Sequence, residues 1–213
     1  TSNNTIYGTQ FKNFGNFQGP VLVADMSSDI MTREFDIEKF CMIYAGAQKN
    51  LGPSGVTLVI IRRDFAEKAK QGIPTILNYM THIEKNSLYN TPPAFAIYIV
   101  MCVTQWAIKK GGIGVLSKEC KRKAEMVYST IDETDFYVPT SGKESRSLTN
   151  ITFRLKNENL ENLFIEEAKK ENLIGLKGHR SVGGIRVSNY SAMTMEGIET
   201  LVSFMKDFEK RHS

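Results

Sequence analysis

Apolar residues in the first sixty positions come as short unbroken runs. "VLVADMSS" (21–28) and "GVTLVIIRR" (55–63) are β-branched runs of strand length, the pattern of strands buried on both faces of a parallel sheet. A shorter run, "FCMIYA" (40–45), lies between them. The Pro92–Pro93 pair suits the first turn of a helix, and "AFAIYIVMCVTQWAI" (94–108) predicts a long one, running to about Lys110 and capped by Gly111 and Gly112. That stretch is shorter than a membrane span and ends in Gln105, Trp106, Lys109 and Lys110, so it reads as a buried helix and not an anchor. Beyond it the pattern changes. Residues 117–131 predict a helix, "LTNITFRL" (148–155) an alternating strand, 160–172 a helix and "GGIRVSNY" (183–190) a strand. The last helix opens at an N-capping Thr194, with Ile198, Leu201, Val202, Met205 and Phe208 on one face.

The order of elements predicts an α/β fold in two parts: residues 1–105 as part of an α/β domain, and 106–213 as a smaller α+β domain with an antiparallel sheet. With 213 residues, 41% of them hydrophobic, the chain is long enough for a real core. Its net charge of +4 is spread among interleaved acids and bases, which argues against nucleic acid and anionic membrane as partners. Cys41, Cys102 and Cys120 have no CxxC spacing, and His82, His179 and His212 are too scattered for a metal site. Reduced, mostly buried thiols in a cytoplasmic protein are expected. Thr1–Phe17 is polar and has no apolar signal region. It reads as a loop already under way, so an upstream portion is expected.

Candidate chemistry gathers at strand ends. Lys49 stands in "YAGAQKNLGPSG" (44–55), just past the 40–45 run; taken alone it is an ordinary solvated turn lysine. Asp25 closes "VLVA", at the carboxyl edge where open α/β sheets bind ligands, and alone it is a turn-capping residue. Together, a partly desolvated amine and a fixed carboxylate are what a pyridoxal phosphate site most needs: one forms an imine, the other keeps a heterocycle nitrogen protonated. Two anion sites accompany them. Asn90 and Thr91 in "LYNTPP" precede the long helix, where free N–H groups favour phosphate or where the pair simply caps the helix. His179, Arg180 and Arg186 crowd into "KGHRSVGGIR" (177–186), a solvated basic loop or a carboxylate and phosphate clamp. "GGIG" (111–114) follows a helix instead of a strand and reads as a helix cap, not a dinucleotide fingerprint.

Residues 21–64, 87–98 and 176–212, which contain "ADMSS", "AGAQKN", "LYNTPP" and "GHRSVGGIR", closely resemble the phosphoserine aminotransferases. These are fold type I pyridoxal phosphate enzymes related to the aspartate aminotransferases. The resemblance implies a partial large domain of that type with a mainly parallel sheet, followed by the small C-terminal domain. It gives Lys49 the covalent attachment of pyridoxal 5'-phosphate and the proton transfer at the substrate α-carbon. Asp25 matches the partner of the pyridine nitrogen, and Thr5 and Gln48 match further cofactor contacts. Asn90 and Thr91 match a pair that reaches the cofactor phosphate from a neighbouring subunit, which implies a homodimer. His179 and Arg180 match residues that take the substrate phosphate, again across the dimer, and Arg186 matches the residue that holds the α-carboxylate. The implied reaction passes the amino group of L-glutamate to 3-phosphohydroxypyruvate, giving O-phospho-L-serine and 2-oxoglutarate. Some bacterial members also act on a phosphorylated precursor of pyridoxine. Members carry a long segment ahead of the position of Thr1, which implies that this chain is a C-terminal portion, inactive or nearly so by itself. Two other classes fit the same residues: a non-catalytic interaction module, and a related enzyme such as a desulfurase or an alanine–glyoxylate aminotransferase. The "GHRSVGGIR" turn favours a phosphorylated substrate over the latter.

Overall fold

The computed structural model describes residues 1–15, 19 and 21–213; residues 16 and 17 of the polar opening stretch lie outside the described residues. A short antiparallel hairpin, β1 (Asn3–Asn4) with β2 (Thr9–Gln10), opens the chain. The apolar runs then form one sheet of order β3 (Val23–Asp25), β4 (Met42–Gly46) and β5 (Thr57–Ile61). β3 and β4 are parallel, with Asp25 opposite Tyr44. β5 departs from the sequence expectation of a parallel strand buried on both faces. It runs antiparallel to β4, with Gly46 opposite Thr57, and Thr57 and Leu58 are exposed. The connection from Gly46 to Thr57 is a loop of successive turns closed by Ala47 N on Val56 O, with no helix in it, whereas a parallel return needs a crossover of a dozen or more residues, usually helical.

Two short helices follow, α1 (Arg63–Ala66) and α2 (Tyr79–Glu84), and then the long α3 (Ala94–Lys109) and α4 (Ile113–Asp132). α3 begins at Ala94, as the sequence predicts, with Pro93 in the cap position. Between α3 and α4 the chain turns by 85°. Gly111 and Gly112, at φ 106° and 80°, take the left-handed conformation that closes a helix, and their N–H groups return to Ile108 and Ala107 O at 3.0 and 2.9 Å. No single helix among the described residues is long and apolar enough to cross a membrane. The expectation of a buried α3 fails: only Ala107 is buried, and Phe95 and Ile108 are 75% and 73% exposed. Its apolar residues run round the whole helix, and only the side bearing Val100, Val103 and Trp106 has core to pack against.

The rest of the chain builds an antiparallel sheet of order β6 (Tyr137–Pro139), β7 (Asn150–Leu155) and β8 (Ile185–Ser188), packed with α4, α5 (Leu160–Lys170) and α6 (Met195–His212). Thr194 Oγ accepts from Gly197 N, the cap that the sequence predicts. Among the described residues there are two apolar cores. The first joins Met26, Phe40, Ile43, Ala45 and Leu51 to Ala107 and Leu116; the second joins Val127, Ile131, Tyr137, Phe153, Phe164, Phe204 and Phe208.

The opening hairpin ties the two sheets together. Ser2 N donates to Asp25 O at 2.9 Å on one side, and Asn3 Nδ2 donates to Asn150 Oδ1 at 2.8 Å on the other. Its turn depends on Gly8, at φ 63°, where an added Cβ would lie 2.2 Å from Thr152 Oγ1 and 2.8 Å from Asn150 O. Gly8→Ala is therefore expected to cost about 2 kcal/mol through strain and clash and to loosen the segment that carries Thr5. A lowered urea midpoint in equilibrium unfolding checks this; an unchanged midpoint contradicts it.

Candidate active site

The turn after β4 places a lysine where two carboxyl-end strands meet. Ala47 N bonds Val56 O at 2.9 Å, Leu51 N bonds Ala47 O at 3.0 Å, and Leu51 enters the first core, so the turn is fixed on either side of Lys49. The half-buried Lys49 Nζ donates to Thr5 Oγ1 at 2.7 Å and to Ser28 Oγ at 2.8 Å, and those two hydroxyls are 2.5 Å from each other. Burial pushes the Lys49 amine below the usual lysine range; the Asp25 carboxylate opposes that shift and the Arg186 guanidinium adds to it. Charged groups from two other strands, Asp25 of β3 and Arg186, thus act on the Lys49 amine. The sign is that of a group that binds protons less well folded than unfolded. Its protonated form opposes folding below the lowered value, and this penalty fades as pH rises toward 10.5.

Asp25 is held by its own strand end. Its Oδ1 accepts from Ser27 N at 2.9 Å and Ser27 Oγ at 2.7 Å, while Ser27 Oγ accepts from Gly46 N at 2.9 Å. This chain of bonds locks the ends of β3 and β4 together. The same carboxylate is the first cause that pushes the phenol of Tyr44, its cross-strand partner, upward.

Arg186 comes from the other sheet. In β8, Ile185 and Val187 are buried in the second core, so strand alternation puts Arg186 on the opposite face. Its Nε is buried and has no hydrogen-bond partner among the described residues. A buried guanidinium nitrogen without an acceptor is costly unless an anion completes it.

The other residues singled out from the sequence take different positions. Gln48 is exposed, with its amide over Gly46, where an added Cβ would meet Oε1 at 2.6 Å. His179 sits in a tight turn in which its carbonyl accepts from Val182 N and Gly183 N at 3.0 and 2.8 Å, and its Nδ1 lies 2.7 Å from Ser181 Oγ. Gly178 permits that turn, since a Cβ there would lie 1.9 Å from Gly183 O. Arg180 is exposed. Asn90 and Thr91 are exposed ahead of α3, with Asn90 Nδ2 bonded to Thr91 O at 3.1 Å. Among the described residues, none of these shares a hydrogen bond or ion pair with the Lys49 group. Thr5, Asp25, Lys49 and Arg186 do come together. Sequence reasoning passed over Ser27, Ser28 and Asn50; the "DMSS" motif gave a signal for the serines, but the Gly46 partner of Ser27 and the Thr5 and Lys49 partners of Ser28 are far off in the chain.

The family described as aminotransferase class-V matches residues 1–201. A phosphoserine aminotransferase of Geobacillus kaustophilus is 54% identical over 213 residues, which are 99% of this chain and 59% of the relative. The solved phosphoserine aminotransferase of Bacillus circulans subsp. alkalophilus is 47% identical with a TM-score of 0.97, covering 100% of this chain and 59% of that one. A pyridoxal phosphate-bound phosphoserine aminotransferase from Trichomonas vaginalis is 38% identical with a TM-score of 0.91, covering 96% of this chain and 58% of that one. The chain therefore spans a little under three fifths of the length of the curated relatives it matches.

Proposed function

As the chain belongs to the class-V aminotransferase family, we propose that its site serves a pyridoxal phosphate-dependent transamination between L-glutamate and 3-phosphohydroxypyruvate, with O-phospho-L-serine and 2-oxoglutarate as products. The observation that carries this reading is the convergence on Lys49: an amine held by two hydroxyls, a carboxylate at the adjoining strand end, and an arginine whose Nε lacks a partner among the described residues. That donor set fits the cofactor, which supplies, when bound, an electron sink for charge developing at the substrate α-carbon.

Lys49 would hold the cofactor covalently, Asp25 would keep its ring nitrogen protonated, and Thr5 and Gln48 would line its surroundings. The lowered pKa favours the neutral amine that nucleophilic attack requires. In its free form the amine is kept in place by Thr5 Oγ1 and Ser28 Oγ, so Nζ is positioned to take a proton from the α-carbon and to return it. Arg186 would bind the α-carboxylate through its planar fork. His179 and Arg180 would take the substrate phosphate.

The reading includes a second copy of the chain. Asn90 and Thr91, and likewise His179 and Arg180, would act in the neighbouring subunit's site, which agrees with their standing apart from Lys49 within one chain. Exposed Tyr89, Phe95 and Tyr98 offer apolar surface beside Asn90 and Thr91 for such a partner. A related enzyme acting on another amino acid would keep Lys49 and Asp25 but would have no use for a phosphate clamp.

Substrate choice gives the test. Titration of the cofactor-loaded protein with O-phospho-L-serine is expected to shift the visible absorption band at concentrations about 10- to 100-fold lower than L-serine needs, because charge-assisted bonds to phosphate add to affinity. An equal response to both amino acids would sink the assignment.

A further inference from the structure

Asn50, next to the nucleophile, is 8% exposed and bonded at both ends of its side chain. Its Nδ2 donates to Ile30 O at 2.5 Å, in the loop that follows Ser28. Its Oδ1 accepts from Ser191 N at 2.9 Å across 141 positions of chain. Ser191 lies just past β8, the strand that bears Arg186. The amide thus spans from the Lys49 turn to the segment that presents the arginine, and it does so between elements of different sheets. The segment is rigid on its far side as well, since Asn189 N bonds Thr149 O at 2.7 Å and the buried Lys123 Nζ bonds the carbonyls of Tyr190 and Met193 at 3.1 and 2.7 Å.

We propose that Asn50 is a positioning residue: its side-chain amide holds the Lys49 amine and the Arg186 guanidinium at a fixed separation, and so sets where an α-carboxylate-bearing substrate meets the nucleophile. This rests on the function proposed above for Lys49 and Arg186. Both ends of the amide are bonded to backbone groups, so it acts through the two turns that it joins. Removing it frees the turn from the 189–193 segment, and a displacement of even 1 Å at a reacting pair costs about 100-fold in rate. The charged groups that act on the Lys49 amine are Asp25, from the end of β3, and Arg186, from β8. Separating the two sheets weakens the influence of Arg186 and the burial while leaving Asp25 in place.

The experiment follows the acetylation rate of Lys49 by acetic anhydride across pH, residue by residue, by mass spectrometry, a readout that needs no cofactor. In the unmodified chain the Lys49 midpoint is expected to lie below those of exposed lysines such as Lys118 and Lys210. In Asn50→Ala it is expected to move up toward theirs. Ser191→Ala, which keeps the backbone N–H and removes a hydroxyl that has no partner among the described residues, is expected to leave it unmoved. Asn50→Ser replaces Asn50→Ala should the latter fail to fold. A folded Asn50 variant with lowered thermal stability and an unmoved Lys49 midpoint overturns the proposal, because that is what a purely structural amide predicts. Should the midpoint shift while the unmodified chain forms no reducible linkage with pyridoxal phosphate at Lys49, the parent reading fails and the positioning role stands.

Discussion

Lys49→Ala is expected to bind pyridoxal phosphate only reversibly: the cofactor washes out on gel filtration, and borohydride fixes none of it to the peptide that spans the substituted position. The bonds that hold Asp25 through Ser27 to Gly46 survive the change, because none of them involves the lysine and no core residue depends on it. Non-covalent affinity is therefore retained in part. Turnover is another matter. In the proposed role one side chain supplies both the nucleophile and the base at the α-carbon, and general-base catalysis alone contributes about 10²–10⁴-fold, so a loss of at least about 10³-fold is expected. Lys49→Arg is expected to fare no better, since a guanidinium stays charged and cannot act as a nucleophile. An assay in the protein that carries these residues, at saturating cofactor, checks the magnitude; a loss below about tenfold contradicts the role.

The second large effect lies in the apolar core that supports Arg186. Phe164 is fully buried, with its ring edge-on to those of Tyr137, Phe153, Phe204 and Phe208 at centroid distances of 6.2, 6.1, 5.0 and 5.1 Å. Phe164→Ala leaves a cavity among rings that cannot collapse, at a cost of about 3–5 kcal/mol. Against a typical total of about 5–15 kcal/mol, the second core then unfolds well before the first. Trp106 is the only tryptophan and packs on the first core, so its fluorescence reports that core, whereas far-ultraviolet dichroism reports the helices and strands of both. In urea the variant's dichroism midpoint is expected to fall further than that of Trp106 fluorescence. Coincident curves would mean that the two cores unfold as one unit.

Much of this arrangement was legible before any coordinates. The two β-branched runs became β3 and β5 and the shorter run between them β4, and the Gly111–Gly112 stop and the Thr194 cap appeared where local backbone chemistry demands them. Asp25 and Lys49 were readable as a pair because strand ends are set by short-range pattern. What stayed hidden depends on distant partners. The strand pattern of "GVTLVIIRR" does not encode which way β5 runs beside β4. β6 is three residues in a polar stretch, and β1 and β2 are two each, too short for any periodicity. α3 is apolar all round, and nothing local tells an apolar helix that is covered from one that is not. Asn50 shows the limit most clearly: an asparagine after a lysine in a glycine-bearing loop reads as turn chemistry, and its role depends on a backbone N–H 141 positions away.

The central claim is that Lys49, among the lysines of this chain, is the site's nucleophile, and one measurement tests it most directly: incubation with equimolar pyridoxal phosphate near neutral pH, borohydride reduction, and peptide mapping. The account predicts a single dominant pyridoxyl label on Lys49, absent when pyridoxine phosphate, which has no aldehyde, takes the place of the cofactor. Label spread over exposed lysines such as Lys118, Lys121 and Lys210, with Lys49 unmodified, would contradict it.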